Sequence, residues 1–317
     1  MKNKLAVFAS LCAMFALLSA SAQVIDSCRY GLRLCAELIL PSLFPFFVLS
    51  ILLSRLGLPQ LLGRWLSGAA ARLFRVSGAG ASALFIGLTG GYPLGAAYIA
   101  DMARSGAVSK REAERLLAFC NNSGPAFILG AVGVGVFGSA AAGLLLYAAH
   151  GLAAVCTGLL LRFGSVPGQK SPAVQVEILP FSQALPEAVR QAVTSLLSVC
   201  GFVVCFSAFT GLLDANGFFS AAAGWLSRVS GAEPRFARAL LCGLLELGGG
   251  AGAMRGLALT PLNLALAAGL LGWGGLSVHF QTMAVLADSD IKGALHTAGR
   301  LLSAVLSAGL AYVLALC

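Results

Sequence analysis

The chain of 317 residues is 58% hydrophobic and only 10% charged, and its formal net charge is +9. Its apolar runs are long enough to cross about 30 Å of hydrocarbon at about 1.5 Å per residue, which predicts an all-α polytopic membrane protein. Because the basic residues stand singly in loops, we predict that they set the topology beside anionic lipid and bind no nucleic acid. Metalloprotease, Walker and nucleophile-elbow motifs are missing from the sequence, so we expect no enzyme activity, cofactor or metal.

The N-terminal segment, residues 1–22, begins with Lys2 and Lys4 and continues with an apolar run. The small residues at 20–22 then have the form of a signal-peptidase site. The segment is therefore either a cleaved signal peptide or a transmembrane signal anchor, and both alternatives leave the topology downstream unchanged.

The remaining apolar segments divide into two groups, separated by a proline-containing polar linker at 163–186. These segments span residues 32–54, 78–100, 116–137, 139–161, 188–213, 236–253, 262–287 and 294–316. The linker predicts two units, residues 24–162 and 187–317. Two amphipathic stretches, about 58–75 and 217–230, are too polar to span and are expected to lie at the membrane interface.

The two units carry matching sequence signals. Gly57 is followed by the letters WLS at 65–67, and Gly217 is followed by WLS at 225–227, with the same spacing. The order of elements also repeats: a long apolar helix, an amphipathic helix, a glycine-broken segment, a second broken segment and a closing helix. Repeats of this kind are typical of secondary transporters.

Four apolar segments are interrupted by polar or backbone-loosening residues. The interruptions read TGGYP at 89–93, NNSGP at 121–125, ELGGG at 246–250 and SVHFQ at 277–281. Non-helical backbone at membrane depth is tolerated only where protein buries it or where it lines a watery cavity. Interruptions at corresponding places in two repeats therefore predict the binding site of a transporter.

The distribution of basic residues favours re-entrant hairpins at 78–100 and 236–253. If these two segments fold back, most of the 21 Lys and Arg residues fall inside, as the positive-inside rule requires. The basic residues left outside are Arg29, Arg33, Arg228, Arg235, Arg238 and Arg255. Each repeat then crosses the membrane three times, so the two repeats must be inverted.

The interruptions supply the predicted contacts for a solute. The carbonyls, amides and hydroxyl freed at 121–125 would meet the N-terminal end of a half-helix, which suits an anion. The predicted substrate contacts are Tyr92, Asn121, Asn122, Ser123, Gly124, Gly249, His279 and Gln281. Alternatively, the polar side chains only cap their own backbone.

Glu246 and His279 are the ionisable residues nearest the interruptions of the second repeat, and they are candidates for proton coupling. The alternatives are that Glu246 pairs with Arg238 or Arg255 and that Gln281 satisfies the hydrogen bonds of His279.

Four stretches of the sequence resemble the YlbJ family of sporulation integral membrane proteins, which carries the nucleoside-recognition Gate domain. The stretches read PSLFPFFV at 41–48, GYPLGA at 91–96, SKREAERLLAFCNNSGPAFILG at 109–130 and GGLSVH at 274–279. The resemblance implies a membrane protein of endospore formers that lies in the outer forespore membrane, is needed for the spore cortex and moves dipicolinic acid. It also implies the architecture of concentrative nucleoside transporters, in which each inverted repeat has an interfacial helix, a re-entrant hairpin and a broken transmembrane helix.

The sequence departs from the nucleoside transporters at the first broken helix, where Asn121 and Asn122 stand in place of acidic ligands. A site without carboxylates favours a small anionic solute over a nucleoside. We therefore predict a secondary transporter or facilitator of an anion, with the lipid bilayer as its surroundings and a second copy or other sporulation membrane proteins as candidate partners. The alternatives are a non-transporting membrane scaffold and an ion-coupled nucleoside carrier.

Overall fold

The computed structural model describes residues 2–164 and 178–317, and all the regular structure in these ranges is helical. Five helical stretches are long and apolar enough to cross a membrane: Ser21–Arg55, Ala140–Phe163, Phe181–Ala215, Pro261–Leu286 and Ala294–Leu314. The helices Leu58–Leu73 and Gly78–Gly90, bent by 96° at a short break, form a sixth candidate. The protein is thus a polytopic all-α membrane protein.

The helices of the first half follow the predicted order. They are α1 (Lys2–Ser19), α2 (Ser21–Leu34), a π-helical turn (Cys35–Ile39), α3 (Leu40–Arg55), α4 (Leu58–Leu73), α5 (Gly78–Gly90), α6 (Leu94–Arg104), α7 (Lys110–Cys120), a π-helical segment (Ala126–Val136) and α8 (Ala140–Leu160). The first long helix therefore begins at Ser21, well before the predicted residue 32.

The second half repeats this order. Its helices are α9 (Phe181–Ala215), α10 (Phe218–Ser230), α11 (Pro234–Leu245), α12 (Leu247–Ala253), α13 (Pro261–Trp273), α14 (Gly275–Leu286) and α15 (Ala294–Leu314). Helix α9 begins within the stretch assigned to the linker, because extended Pro180 ends the preceding coil and Pro186 is accommodated inside the helix. Most of the linker lies outside the described residues.

The first long helix of each repeat packs against the other, and the two run antiparallel. A Cβ added at Gly31 would lie 2.6 Å from the Ser207 Oγ, and one added at Gly211 would lie 2.3 Å from the Ser27 Oγ. The residue numbers rise along one helix as they fall along the other. Opposite directions of equivalent helices are what inverted repeats predict.

Both predicted hairpins fold back on themselves. Across the first, the Ser82 and Tyr98 hydroxyls lie 2.8 Å apart, and a Cβ added at Gly95 would lie 3.2 Å from the Gly87 Cα. Across the second, a Cβ added at Gly250 would lie 2.3 Å from the Gly243 Cα. Since residues equally far from each tip meet, the arms of each hairpin are antiparallel, and glycine permits their close approach.

The connection from the first hairpin to α7 turns at Gly106 and ends at a helix cap, Ser109. Gly106 has a φ of +73°, and the Ser109 hydroxyl caps α7 by accepting from the Glu112 amide at 3.2 Å. Glu112 does not complete a capping box with Ser109, because its carboxylate accepts from the Ser77 amide at 2.6 Å. Glu112 therefore ties the start of α5 to α7 instead of capping its own helix.

The interruption predicted at 277–281 is wrong. These residues lie inside helix α14, and the break between α13 and α14 falls three residues earlier, at Gly274 and Gly275. Both glycines have positive φ values, +87° and +77°, which other residues rarely adopt. Gly248 to Gly250 are likewise helical, so the break in the second hairpin is confined to Glu246.

Candidate functional site

A pocket lies where the two hairpin tips and the two broken helices meet. It encloses about 500 Å³ of empty space, including the part open to its mouth, and the centre of a water molecule can occupy about 40 Å³ of it. It is lined by Ile39, Leu43, Gly90, Gly91, Tyr92, Gly124, Phe127, Val199, Val203, Glu246, Leu247, Gly248, Ser277, Val278 and Gln281. Residues of both repeats thus form its wall.

The backbone of the first hairpin presses directly against the first broken helix. A Cβ added at Gly91 would lie 2.6 Å from the Gly124 amide nitrogen, and one added at Gly87 would lie 1.5 Å from the Cys120 carbonyl oxygen. No side chain fits in either place. Gly91 at the predicted tip and Gly87 inside α5 therefore let the first hairpin touch the first broken helix at the edge of the pocket.

Asn121 joins three separate elements at the first break. Its Oδ1 accepts from the Ala96 amide at 3.2 Å, and its Nδ2 donates to the Thr282 Oγ1 at 3.0 Å. The side chain is fully buried. Asn121 therefore ties the first hairpin and both broken helices together, one layer behind the pocket wall.

Ser123 lies behind the pocket wall at the same break and makes contacts in three directions. Its hydroxyl lies 2.5 Å from the Tyr92 Oη and donates to the Leu271 carbonyl at 3.3 Å, so Tyr92 acts as the donor to Ser123. The Ser123 amide donates to the His150 Nε2 at 3.1 Å. These bonds fix the orientation of Tyr92, whose side chain reaches the pocket.

Glu246 places a carboxylate in the pocket wall, which corrects the expectation of a site without carboxylates. Its Oε1 accepts from the Gly248 amide at 2.8 Å and its Oε2 accepts from the Gly249 amide, at the start of α12. The predicted alternative of a pair with Arg238 is wrong, because Arg238 binds Asp214 at 2.7 Å. A buried ionisable group in a membrane pocket is a functional candidate by default.

His279 is buried beside other rings, outside the pocket. Its ring centre lies 4.2 Å from that of Trp273 and 5.2 Å from that of His296. Within residues 2–164 and 178–317 Gln281 makes no hydrogen bond to either of its ring nitrogens, so the predicted alternative that Gln281 satisfies His279 is wrong. Its role in solute contact or proton coupling stays a prediction.

The predicted contact residues thus divide into two layers. Tyr92, Gly124 and Gln281 line the pocket, together with Glu246. Asn121, Asn122 and Ser123 form the layer behind it, while His279 and Gly249 are absent from the lining.

Sequence reasoning missed Arg300, which it placed among the cytoplasmic charges. Arg300 lies inside α15, is fully buried, and donates from Nη2 to the Asn122 Oδ1 at 3.0 Å. The signal was present in the sequence, because an arginine within an apolar segment is a functional candidate in its own right.

The chain also resembles a curated protein over most of its length. It is 33% identical to the sporulation integral membrane protein YlbJ of Bacillus subtilis (strain 168), over 310 residues that cover 89% of this chain and 75% of the relative. The chain belongs to the YlbJ family. This YlbJ-family protein is therefore a sporulation integral membrane protein with several membrane spans. No family model matches it, and no solved structure does.

Proposed function

We propose that this YlbJ-family protein is a secondary transporter or facilitator of a small anionic solute. The observation that carries the proposal is the pocket between two hairpin tips and two broken helices, with walls from both repeats. In transporters built from inverted repeats, substrate lies at the repeat interface and discontinuous helices supply backbone dipoles. The sequence has no nucleotide-binding motif, so movement of the solute would follow its own gradient or that of an ion.

Dipicolinic acid, the solute implied by the family resemblance, is our candidate substrate. We place its transport in the outer forespore membrane, where it would serve formation of the spore cortex. Tyr92 and Phe127 offer aromatic faces for its ring, while Ser277 and Gln281 offer donors for its carboxylates. The space that the centre of a water molecule can occupy, about 40 Å³, is narrow for an aromatic dicarboxylate. The pocket must therefore widen to admit the ring, as alternating access requires.

The first test is flux in proteoliposomes that contain the purified full chain. We expect uptake of dipicolinate above that of empty liposomes, and a loss of roughly tenfold in Gln281→Ala, which removes a donor from the pocket. Gln183→Ala, at an exposed position of α9, is the matched control and should transport normally. Normal folding without flux of either dipicolinate or nucleosides would leave the scaffold alternative.

Glu246 suggests how an anion could share a pocket with a carboxylate. Repulsion between the two is relieved if a proton or sodium ion neutralises Glu246 whenever the anion enters. We expect an imposed proton or sodium gradient to drive dipicolinate flux by the natural protein. The rate of flux by Glu246→Gln should be the same with and without either gradient. Gradient-driven flux that survives in Glu246→Gln would assign Glu246 to capping α12 alone.

An ion-coupled nucleoside carrier is the second candidate, and one observation favours it. The carboxylate of Glu246 in the pocket could accept hydrogen bonds from ribose hydroxyls, whereas the dipicolinate dianion has no hydrogen-bond donor. Flux of uridine in place of dipicolinate in the same liposomes would select this candidate.

A further inference from the structure

Arg300 is a buried cation whose hydrogen-bonding capacity is only partly used. Its Nη2 donates to the Asn122 Oδ1 at 3.0 Å and to the Ser303 Oγ at 2.9 Å. Its Nε and Nη1 are buried and have no hydrogen-bond partner in the described part of the chain. Three of its five N–H groups thus point at no acceptor.

Arg300 also lacks a counter-charge. The ion pairs within residues 2–164 and 178–317 all lie elsewhere, on partly exposed side chains. Glu246 is occupied by the amides of α12, and the groups that Nη2 does bind are neutral. An unpaired charge inside a protein is costly. A buried arginine without a counter-charge is therefore expected where a ligand supplies the negative charge.

His150 adds a second unused donor at the same break. Its Nε2 accepts the Ser123 amide at 3.1 Å, so the neutral ring carries its hydrogen on Nδ1. That Nδ1 is buried and has no hydrogen-bond partner among the described residues. His150 lies within electrostatic range of Arg300, and the two side chains reach consecutive residues of the break, Ser123 and Asn122.

We propose that Arg300 and His150 form an anion subsite behind the first break, and that it receives a carboxylate group. Tyr92 lines the pocket and hydrogen-bonds to Ser123, the residue next to the Asn122 that Arg300 binds. A carboxylate that passes this hydrogen bond would meet the free N–H groups of Arg300 and the Nδ1–H of His150. The subsite's part in transport rests on the proposed function, whereas its capacity to bind an anion does not.

Binding is tested without flux, by the thermal stability of the purified full chain in detergent. The midpoint of unfolding is followed against the concentration of disodium pyridine-2,6-dicarboxylate, with sodium chloride of equal ionic strength as reference. We expect the natural protein to be stabilised and Arg300→Gln to need roughly tenfold to a hundredfold more ligand. Arg238→Gln, which removes a cation paired with Asp214, is the matched control and should bind as the natural protein does.

Two further variants keep the test decisive if Arg300→Gln does not fold. Arg300→Lys keeps the charge and should retain part of the affinity. His150→Gln can keep the acceptor for the Ser123 amide but loses the Nδ1 donor, so it should need several-fold more ligand. No stabilisation of the natural protein, or unchanged affinity in folded Arg300→Gln or His150→Gln, would overturn the subsite. Binding without dipicolinate flux would preserve the subsite and reject the proposed transport.

Discussion

Replacement of Gly87 by alanine is expected to remove most of the folded protein from the membrane. The new Cβ would lie 1.5 Å from the Cys120 carbonyl oxygen, which is backbone and cannot swing aside as a flexible side chain can. Helix α5 would have to move away from the end of α7, which opens the contact between the first hairpin and the first break. We expect a destabilisation at or beyond the upper end of the roughly 1–3 kcal/mol typical of overpacking.

The measurement is the amount of monodisperse protein extracted in mild detergent, together with its unfolding midpoint. Gly151→Ala is the matched control, because Gly151 also lies in a transmembrane helix but has no atom within 4 Å of an added Cβ. It should be neutral or slightly stabilising, since alanine favours helix more than glycine does. Equal yields and midpoints for the two variants would contradict the contact between α5 and α7.

Asn121→Ala is expected to cost about 2–4 kcal/mol, because it leaves the buried Ala96 amide without a partner and removes the donor to the Thr282 hydroxyl, which keeps its bond to the Val278 carbonyl. Thr282→Val should cost about 1–3 kcal/mol, since it leaves the buried Asn121 Nδ2 without its acceptor and removes the hydroxyl that donates to the Val278 carbonyl at 2.9 Å. The double variant should be less destabilised than the sum, with a coupling free energy of about 1 kcal/mol.

Denaturant unfolding of the four proteins in micelles gives the free energies of this cycle. Thr194→Val is the control, because the exposed Thr194 hydroxyl donates only to the Arg190 carbonyl of its own helix, at 3.1 Å. It should show no coupling to Asn121→Ala. Strict additivity of Asn121→Ala and Thr282→Val would mean that the bond between the two broken helices contributes nothing to their association.

The order of helices and the two hairpins were predictable because their signals are local. Apolar length identifies a spanning helix, and the hairpin tips carry glycines next to proline or glutamate. The antiparallel contact between the helices around Gly31 and Ser207 agrees with the inversion predicted from the charge distribution. The order of elements therefore followed from information that each segment carries by itself.

Whether a polar residue lines the pocket or lies behind it could not be predicted from such local signals. Asn121 and Tyr92 both stand at interruptions, yet one is fully buried and the other reaches the pocket, because packing between repeats sets the direction of each side chain. The last break was misplaced because SVHFQ is polar enough to suggest an interruption, whereas the two glycines before it adopt positive φ. Arg300 was misassigned because a count of charges does not distinguish a loop arginine from a buried one.

The two antiparallel helices that meet at Gly31 and Gly211 are longer than the hydrocarbon layer they cross. Ser21–Arg55 and Phe181–Ala215 each contain 35 residues, which corresponds to about 52 Å of helix against about 30 Å of hydrocarbon. Each must lean well beyond the average tilt of about 20° or extend into the headgroup layers on both sides. Only the apolar stretches, 32–54 and 188–213, have to match the hydrocarbon, so the charged ends of both helices reach the headgroup layers.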